Sequence, residues 1–408
     1  MKFKLKEVFL TAIAVALIFV FFNIKELSAA SDDEVRIGVL LPLSGPAEPT
    51  GRKLKYAVEV AEEIIREEHP ELEIRFIYAD HRANPEAART EAERLIKEEK
   101  VRAIIGAYHS SATKTASQVA EEHGIPFLAG SSSSASLTAR GYKYFSRIAP
   151  DDDMETEFFF EYIKYLNEFF HAGIKTIGVV YIDNEYGIHA SEMVDKWLDE
   201  KYRNEGFEKV VEVRYPEELE NIDEGIRKIK DADPDVIFQA SYIEDVTKFV
   251  RKYKSENVVP KVVLNYCGGF QDPLFIDNLG EDGNYFSGSS ASMPSIFTSN
   301  RSEYKINSLY RQKTGEDIDG PALEEFASAL IIADAISTAA STDGDDIMNV
   351  LRSKEFIAPY FTSGSIKFNE KGQNIRTISF MVQIQNGKYE VVWPLSIQEK
   401  QPQILSGE

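Results

Sequence analysis

The chain has 408 residues, 43% of them apolar and 11% aromatic, enough at about 150 residues per domain for two or three domains with a core each, which excludes disorder as the main state. Lys and Arg number 46 against 67 Asp and Glu, a formal charge of -21, so the long-range field repels phosphate backbones and argues against a nucleic-acid partner. The only cysteine, Cys267, leaves no intrachain disulfide.

The first thirty residues read as a secretory signal peptide. Lys2, Lys4 and Lys6 precede an apolar run over 8–22, and Ser28-Ala29-Ala30 places small residues at the -3 and -1 positions of a cleavage site after Ala30. The run is shorter than the roughly 20 residues that cross a bilayer, with an uncleaved anchor as the alternative. No cysteine follows it, which excludes a lipid-modified start. The expected location is periplasmic or secreted.

Beyond the signal, β-branched runs at 35–41, 72–78, 101–106 and 125–129 alternate with amphipathic stretches, the pattern of parallel βαβ units. Leu54, Ala57, Ala61, Ile64 and Ile65 recur at helical spacing, and Asn84-Pro85 announces a second helix with Ala88, Ala92, Leu95 and Ile96 inward. From Asp151 the pattern restarts: a helix to about 170, strands at 176–182, 210–214, 235–240 and 261–265, and helices at 187–203, 222–231 and 243–255. A long helix at 322–340, another near 345–351 and β runs at 377–385 and 389–393 are too little for a third domain and must complete the first two.

In doubly wound sheets ligands bind beyond the carboxyl ends of strands, where helix N-termini present free N–H groups. Three regions are unusually polar there. The strand ending at Gly106 runs into His109-Ser110-Ser111, which places Ser110 or Ser111 as an N-cap. The strand ending at Ala129 is followed by Ser131-Ser132-Ser133-Ser134, either an anion or zwitterion site or a polar loop. In the second unit Asp183 and Tyr186 follow one strand and Tyr242 and Glu244 another; the tyrosines offer an apolar face with a hydroxyl at its rim, and Asp183 could neutralise an ammonium. The six histidines form no HxH or HExxH pair, and no P-loop, GxSxG or GxGxxG is present, so neither a metal, a cofactor nor a catalytic set is expected.

Six segments in order carry a resemblance: Ile37-Gly38-Val39-Leu40-Leu41-Pro42-Leu43-Ser44-Gly45-Pro46; Ile104-Ile105-Gly106 with Ser110-Ser111-Ala112-Thr113; Gly124-Ile125-Pro126; Leu137-Thr138-Ala139-Arg140-Gly141-Tyr142; Arg147-Ile148-Ala149-Pro150; and Asp183-Asn184-Glu185-Tyr186-Gly187. Together they resemble the type I periplasmic binding proteins, in particular the leucine/isoleucine/valine-binding receptors of ABC importers. The resemblance implies an α/β fold of two doubly wound parallel-sheet lobes with a ligand cleft between them. The expected division is 31–148 plus 292–378 for the N-terminal lobe and 149–291 plus 379–408 for the C-terminal lobe, with crossings near 149, 291 and 379. By family position Ser110 would bind a ligand carboxylate, Ser131 would offer backbone groups, Ser133 would bond the carboxylate or ammonium, and Tyr186 and Tyr242 would close over the ligand.

Two departures bear on the ligand. Relatives that bind branched amino acids carry an acid at the strand end that here reads Leu264-Asn265-Tyr266-Cys267, and Thr50 replaces an aromatic found after the Ser-Gly-Pro turn. Asp183 or Glu244 would have to serve as ammonium partner, or the ligand is a carboxylate or amide without an amine. The expected function is a non-enzymatic receptor that captures a small polar solute, an amino acid first of all, and passes it to the membrane subunits of an ABC transporter. Its rivals are a ligand sensor of the same fold and a secreted enzyme using His109 beside Ser110.

Overall fold

The computed structural model describes residues 34–272, 274–291 and 301–405; the expected signal peptide lies outside them. The first lobe is built by β1 (Val35–Leu41), α1 (Glu48–Glu68), β2 (Ile74–Asp80), α2 (Pro85–Lys97), β3 (Ala103–Gly106), α3 (Ser110–Glu122), β4 (Phe127–Ala129), α4 (Ser136–Ala139) and β5 (Phe145–Arg147). Its sheet has the order β2-β1-β3-β4-β5, parallel throughout. The second lobe follows with α5 (Asp152–Phe170), β6 (Thr176–Ile182), α6 (Glu185–Glu200), β7 (Glu208–Tyr215), α7 (Asp223–Ala232), β8 (Val236–Ala240), α8 (Ile243–Ser255) and β9 (Val262–Asn265). Two short helices, α9 (Cys267–Phe270) and α10 (Leu274–Leu279), lead to β10 (Ser287–Ser290).

The chain then returns to the first lobe. α11 (Arg301–Thr314) and α12 (Gly320–Ala339) pack on α1, and α13 (Gly344–Ser353) packs on α12. After the two-residue strands β11 (Phe356–Ile357) and β12 (Ser365–Ile366), it goes back to the second sheet as β13 (Phe380–Gln385) and β14 (Lys388–Trp393). That sheet is ordered β14-β13-β10-β9-β8-β6-β7, with β13 antiparallel to both its neighbours, β10 and β14, and the remaining pairs parallel.

Local chemistry explains most boundaries. The Asn84 side chain accepts the Ala87 amide at 2.9 Å and Pro85 occupies the first turn, which starts α2 as its sequence requires. The inner faces of α1 and α2 are the residues expected from their spacing, all buried. Helices cover both sheet faces, so strand residues such as Ile37, Val39, Leu40 and Leu41 are fully enclosed and the strands read as continuous apolar runs. The second strand lies two residues later than its apolar run suggests, because Asp80 extends it: the Asp80 carboxylate accepts the Leu43 amide at 2.8 Å and the Ser44 hydroxyl at 2.5 Å. The first of the two last β runs starts at Phe380 rather than at 377, since 377–379 belong to the passage between sheets.

Two of those passages lie side by side at a buried arginine. Arg147 and Gln373 form a parallel bridge, the Arg147 amide donates to Gly372 O at 2.8 Å, and the Asn374 amide donates to Arg147 O at 3.1 Å. All five guanidinium donors are used: Nε and Nη2 on Gln373 Oε1, Nη1 on the carbonyls of Ser132 and Ser134, and Nη2 on Asp151 at 3.1 Å. Arg147 thus ties the serine loop after β4, the start of α5 and the return passage into one unit.

Candidate ligand cleft

Each sheet has a topological switch point, between β1 and β3 in the first and between β6 and β8 in the second, where loops diverge and leave a crevice. The two crevices face each other. From the first lobe Tyr108, Ser110, Ser131, Ser133 and Pro321 line the space, and from the second Tyr186, Tyr242, Cys267 and Gly268. The space left between them is about 10 Å³, at most one water molecule, so the lobes are closed on each other here.

Five of the six residues singled out in the sequence meet here: Ser110, Ser131, Ser133, Tyr186 and Tyr242. Neither Ser110 nor Ser111 is an N-cap, as capping preference alone suggested. α3 begins at Ser110 and its cap residue is His109, without a side-chain capping bond; the Ser110 hydroxyl instead accepts the Ser134 amide at 3.2 Å. The four serines are not a mobile polar loop, since all are buried and bonded into their surroundings. Ser131 donates to Pro321 O at 3.2 Å, Ser132 shares a 2.5 Å bond with Thr113, and the Ser133 carbonyl accepts the Asp152 amide at 2.9 Å.

Asp183 is not in the lining set. Its carboxylate is 40% exposed and pairs with Arg214 on the neighbouring strand, because the residue directly after β6 continues the sheet edge while α6 carries Tyr186 inward. Glu244 is exposed and also outside the lining. His109 packs its ring on Tyr108, His81 and Tyr242, the last at 4.8 Å, and makes no bond to the Ser110 hydroxyl. Burial, reinforced by His81, holds it well below the usual imidazole range, so it stays neutral.

Sequence reasoning missed a set of buried acids. Asp152 and Glu155 on α5 and Glu324 on α12 stand directly behind the lining: Asp152 faces the Ser133 hydroxyl, Glu155 takes the Cys267 thiol at 3.7 Å and the Ser289 hydroxyl, and Glu324 faces Ser131. Burial pushes Asp152 and Glu324 well above the carboxylate range and Glu155 to about 7, with mutual repulsion adding to it. The Tyr186 hydroxyl has no hydrogen-bond partner, and Gly268 admits it because a side chain there would meet it at 2.9 Å. Among the described residues no group of side chains could hold a metal ion.

The lobes also touch directly. Tyr108 donates to Gly268 O at 2.5 Å, and Tyr242 packs against both hydrophobic cores. Asp272 accepts from Thr50 at 2.9 Å and Lys53 at 3.0 Å across the cleft. On the opposite flank Glu185 binds Lys114 at 2.7 Å and Ser136 at 2.5 Å. Burial opposes the ionisation of Glu185, but the bonds from His189, Lys114 and Ser136 outweigh it and hold its carboxyl at about 2. Thr50, in place of the aromatic found in relatives, therefore serves one of these bridges.

The sequence profile of the periplasmic binding proteins matches residues 34–388, nearly all of the described chain. This chain belongs to that family. Membership implies an extracytoplasmic location, and the family is one of solute-binding proteins rather than enzymes. A Leu/Ile/Val-binding protein homologue of Brucella abortus is 25% identical over 383 residues, 88% of this chain and 91% of the relative. Among solved structures, a leucine-binding protein from Thermotoga maritima superposes with a TM-score of 0.76 at 22% identity, covering 88% of this chain and 97% of the other. An ABC-transporter solute-binding protein from Rhodopseudomonas palustris, in complex with 3,4-dihydroxybenzoic acid, gives 0.74 at 18%, covering 88% and 95%. The two-lobed α/β fold and the periplasmic binding protein family are thus those the sequence motifs suggested.

Proposed function

We propose that this protein is the receptor of an ABC importer: secreted with residues 1–30 removed, it captures one small polar solute between its lobes, an amino acid first of all, and delivers it without turnover to the transporter's membrane subunits. The observation that carries this reading is the cleft itself, lined from two separate sheets by residues at the carboxyl ends of their strands. A ligand held there touches both lobes only when they are closed, so it selects the closed form by its differential affinity. The lobes are taken as 31–148 plus 292–378 and 149–291 plus 379–408.

Ser110, at the first turn of α3, and the serines after β4 would receive a carboxylate, while Tyr186 and Tyr242 cap it from the other lobe. Thermal unfolding in the presence of amino acids, aromatic acids and amides tests the reading. A ligand at about 100 times its Kd stabilises the native state by about 2.7 kcal/mol, a rise of several degrees. No shift with any solute class would sink the proposal.

A further inference from the structure

The first lobe carries an apolar pocket that the solute cleft does not use. It has a volume of about 440 Å³ and lies between the last turn of α1, the first turns of α11, the middle of α12 and the segment that begins with β11. Its floor is Ile64, Ile306, Phe326, Leu330, Phe356 and Tyr360, and its rim holds Glu68, His69, Lys305 and Asp334. Thr50, at one end of α1, joins the cross-cleft bridge, and Ile64 stands about 20 Å further along that helix. A partner seated on the pocket therefore leaves the cleft free.

At the mouth stands Ile357 of β11, 85% exposed, the most exposed large apolar side chain among the described residues. A single exposed isoleucine is ordinary on a protein surface. This one borders a hole of its own chemistry: Phe356 beside it is buried in the floor, and Leu330 and Pro359 in the same lining are only part-buried, so knob and hole form one apolar patch. A knob and a hole on one face are what a twofold interface needs, since each copy then gives and receives the same contact. Among the described residues β11 also pairs on one side only, with β12, and an open strand edge is a template for the same edge of another copy.

Charge separates a second copy from other occupants. The chain carries -21, so two copies repel wherever acids predominate. At this face the acids are answered: Lys354 binds Asp334 at 2.8 Å and Lys305 binds Glu67 at 2.5 Å. A strongly basic or acidic partner finds no net charge to hold there, whereas a second copy finds an apolar hole with its self-repulsion relieved. We propose that two copies of this protein associate about a twofold axis at this face, each seating Ile357 in the other's pocket, with both clefts left uncovered.

Sedimentation equilibrium of the whole protein over about 1–200 μM, on wild type, Ile357→Asp and Ile357→Leu, tests this. Wild type is expected to pass from monomer to dimer in that range, the affinity of a small interface. It should associate more tightly at about 0.5 M than at about 0.05 M salt, because screening relieves the repulsion between acidic chains. Ile357→Asp removes two buried isoleucines per dimer and puts a carboxylate into each apolar hole, so association should fall at least about a hundred-fold, while Ile357→Leu retains it. Because Ile357 is exposed in the single chain, Ile357→Asp should unfold at the wild-type temperature when both are dilute monomers, which separates lost docking from lost folding. A wild type that stays monomeric throughout, an Ile357→Asp variant that dimerises like wild type, or one that unfolds early as a monomer overturns the proposal. If wild type is monomeric and Ile357→Asp slows uptake by membranes that hold the importer, the face belongs to the membrane subunits and the second copy is ruled out.

Discussion

A buried polar group left without a partner costs about 1–3 kcal/mol, and the Tyr186 hydroxyl is such a group, enclosed among Tyr242, Gly268 and Cys267. Removing it should help the empty protein and harm the loaded one. Tyr186→Phe is expected to leave the unfolding free energy unchanged, or raise it by up to about 1 kcal/mol, while weakening solute binding several-fold. Ser110→Ala should fail differently. Its hydroxyl satisfies the Ser134 amide, so its loss orphans a buried N–H and lowers stability by about 1–3 kcal/mol as well as affinity. Urea denaturation and calorimetry on the two variants separate the cases; equal stability losses would show that Tyr186 has a hidden structural partner.

At the scale of elements, α12 presses two acids toward the loop after β4, and a glycine permits it. A Cβ on Gly130 would stand 2.4 Å from Glu325 Oε2 and 3.1 Å from the Glu325 amide. Gly130→Ala must therefore push α12 outward and is expected to cost about 1–3 kcal/mol in urea denaturation. Burial raises Glu155 and Asp319 to about 7 and Glu325 to about 8, so the folded protein holds protons that the unfolded chain has already released. Stability should fall as pH rises through this range, by up to about 1.4 kcal/mol per unit for each group. His81 and His109, which burial lowers, are neutral in the folded protein and only partly protonated in the unfolded chain above 6.5, so the opposing slope they add is small there and gone by pH 8. The ligand-free protein should thus unfold at lower urea at pH 8 than at pH 6.5; the reverse order would mean these carboxyls are ionised in the native state.

Elements with an apolar period were legible in the sequence, including α1, α2, α8 and β6, and so was the residue set Ser110, Ser131, Ser133, Tyr186 and Tyr242, since strand ends locate loops. β10 was not legible: Ser287-Gly288-Ser289-Ser290 has no apolar run, and it is a strand because β9 and β13 pair with it on both sides. The acids were hidden for a similar reason. In sequence, Asp152, Glu155, Glu324 and Glu325 look like solvated helix charges; only long-range packing of α5 and α12 against the serine loop buries them.

For the whole molecule, the cross-cleft bonds set the balance between open and closed forms. Asp272 joins α1 through Thr50 and Lys53, while Glu185 joins α3 and α4 through Lys114 and Ser136. These contacts cross the cleft without touching its lining. Asp272→Ala is therefore expected to lower the closed fraction at partial saturation, and to weaken apparent affinity by the same shift in population, with the lining residues unchanged. A variant that closes like wild type would assign closure to the lining alone.

The central claim is that a small solute closes two lobes over itself. Small-angle scattering tests it most directly, on wild-type protein with and without saturating amounts of the solute that most raises its unfolding temperature. A smaller radius of gyration with solute is the expected result. An unchanged radius at proven saturation would contradict it, leaving a cleft that binds without closing and a receptor with nothing to signal its load.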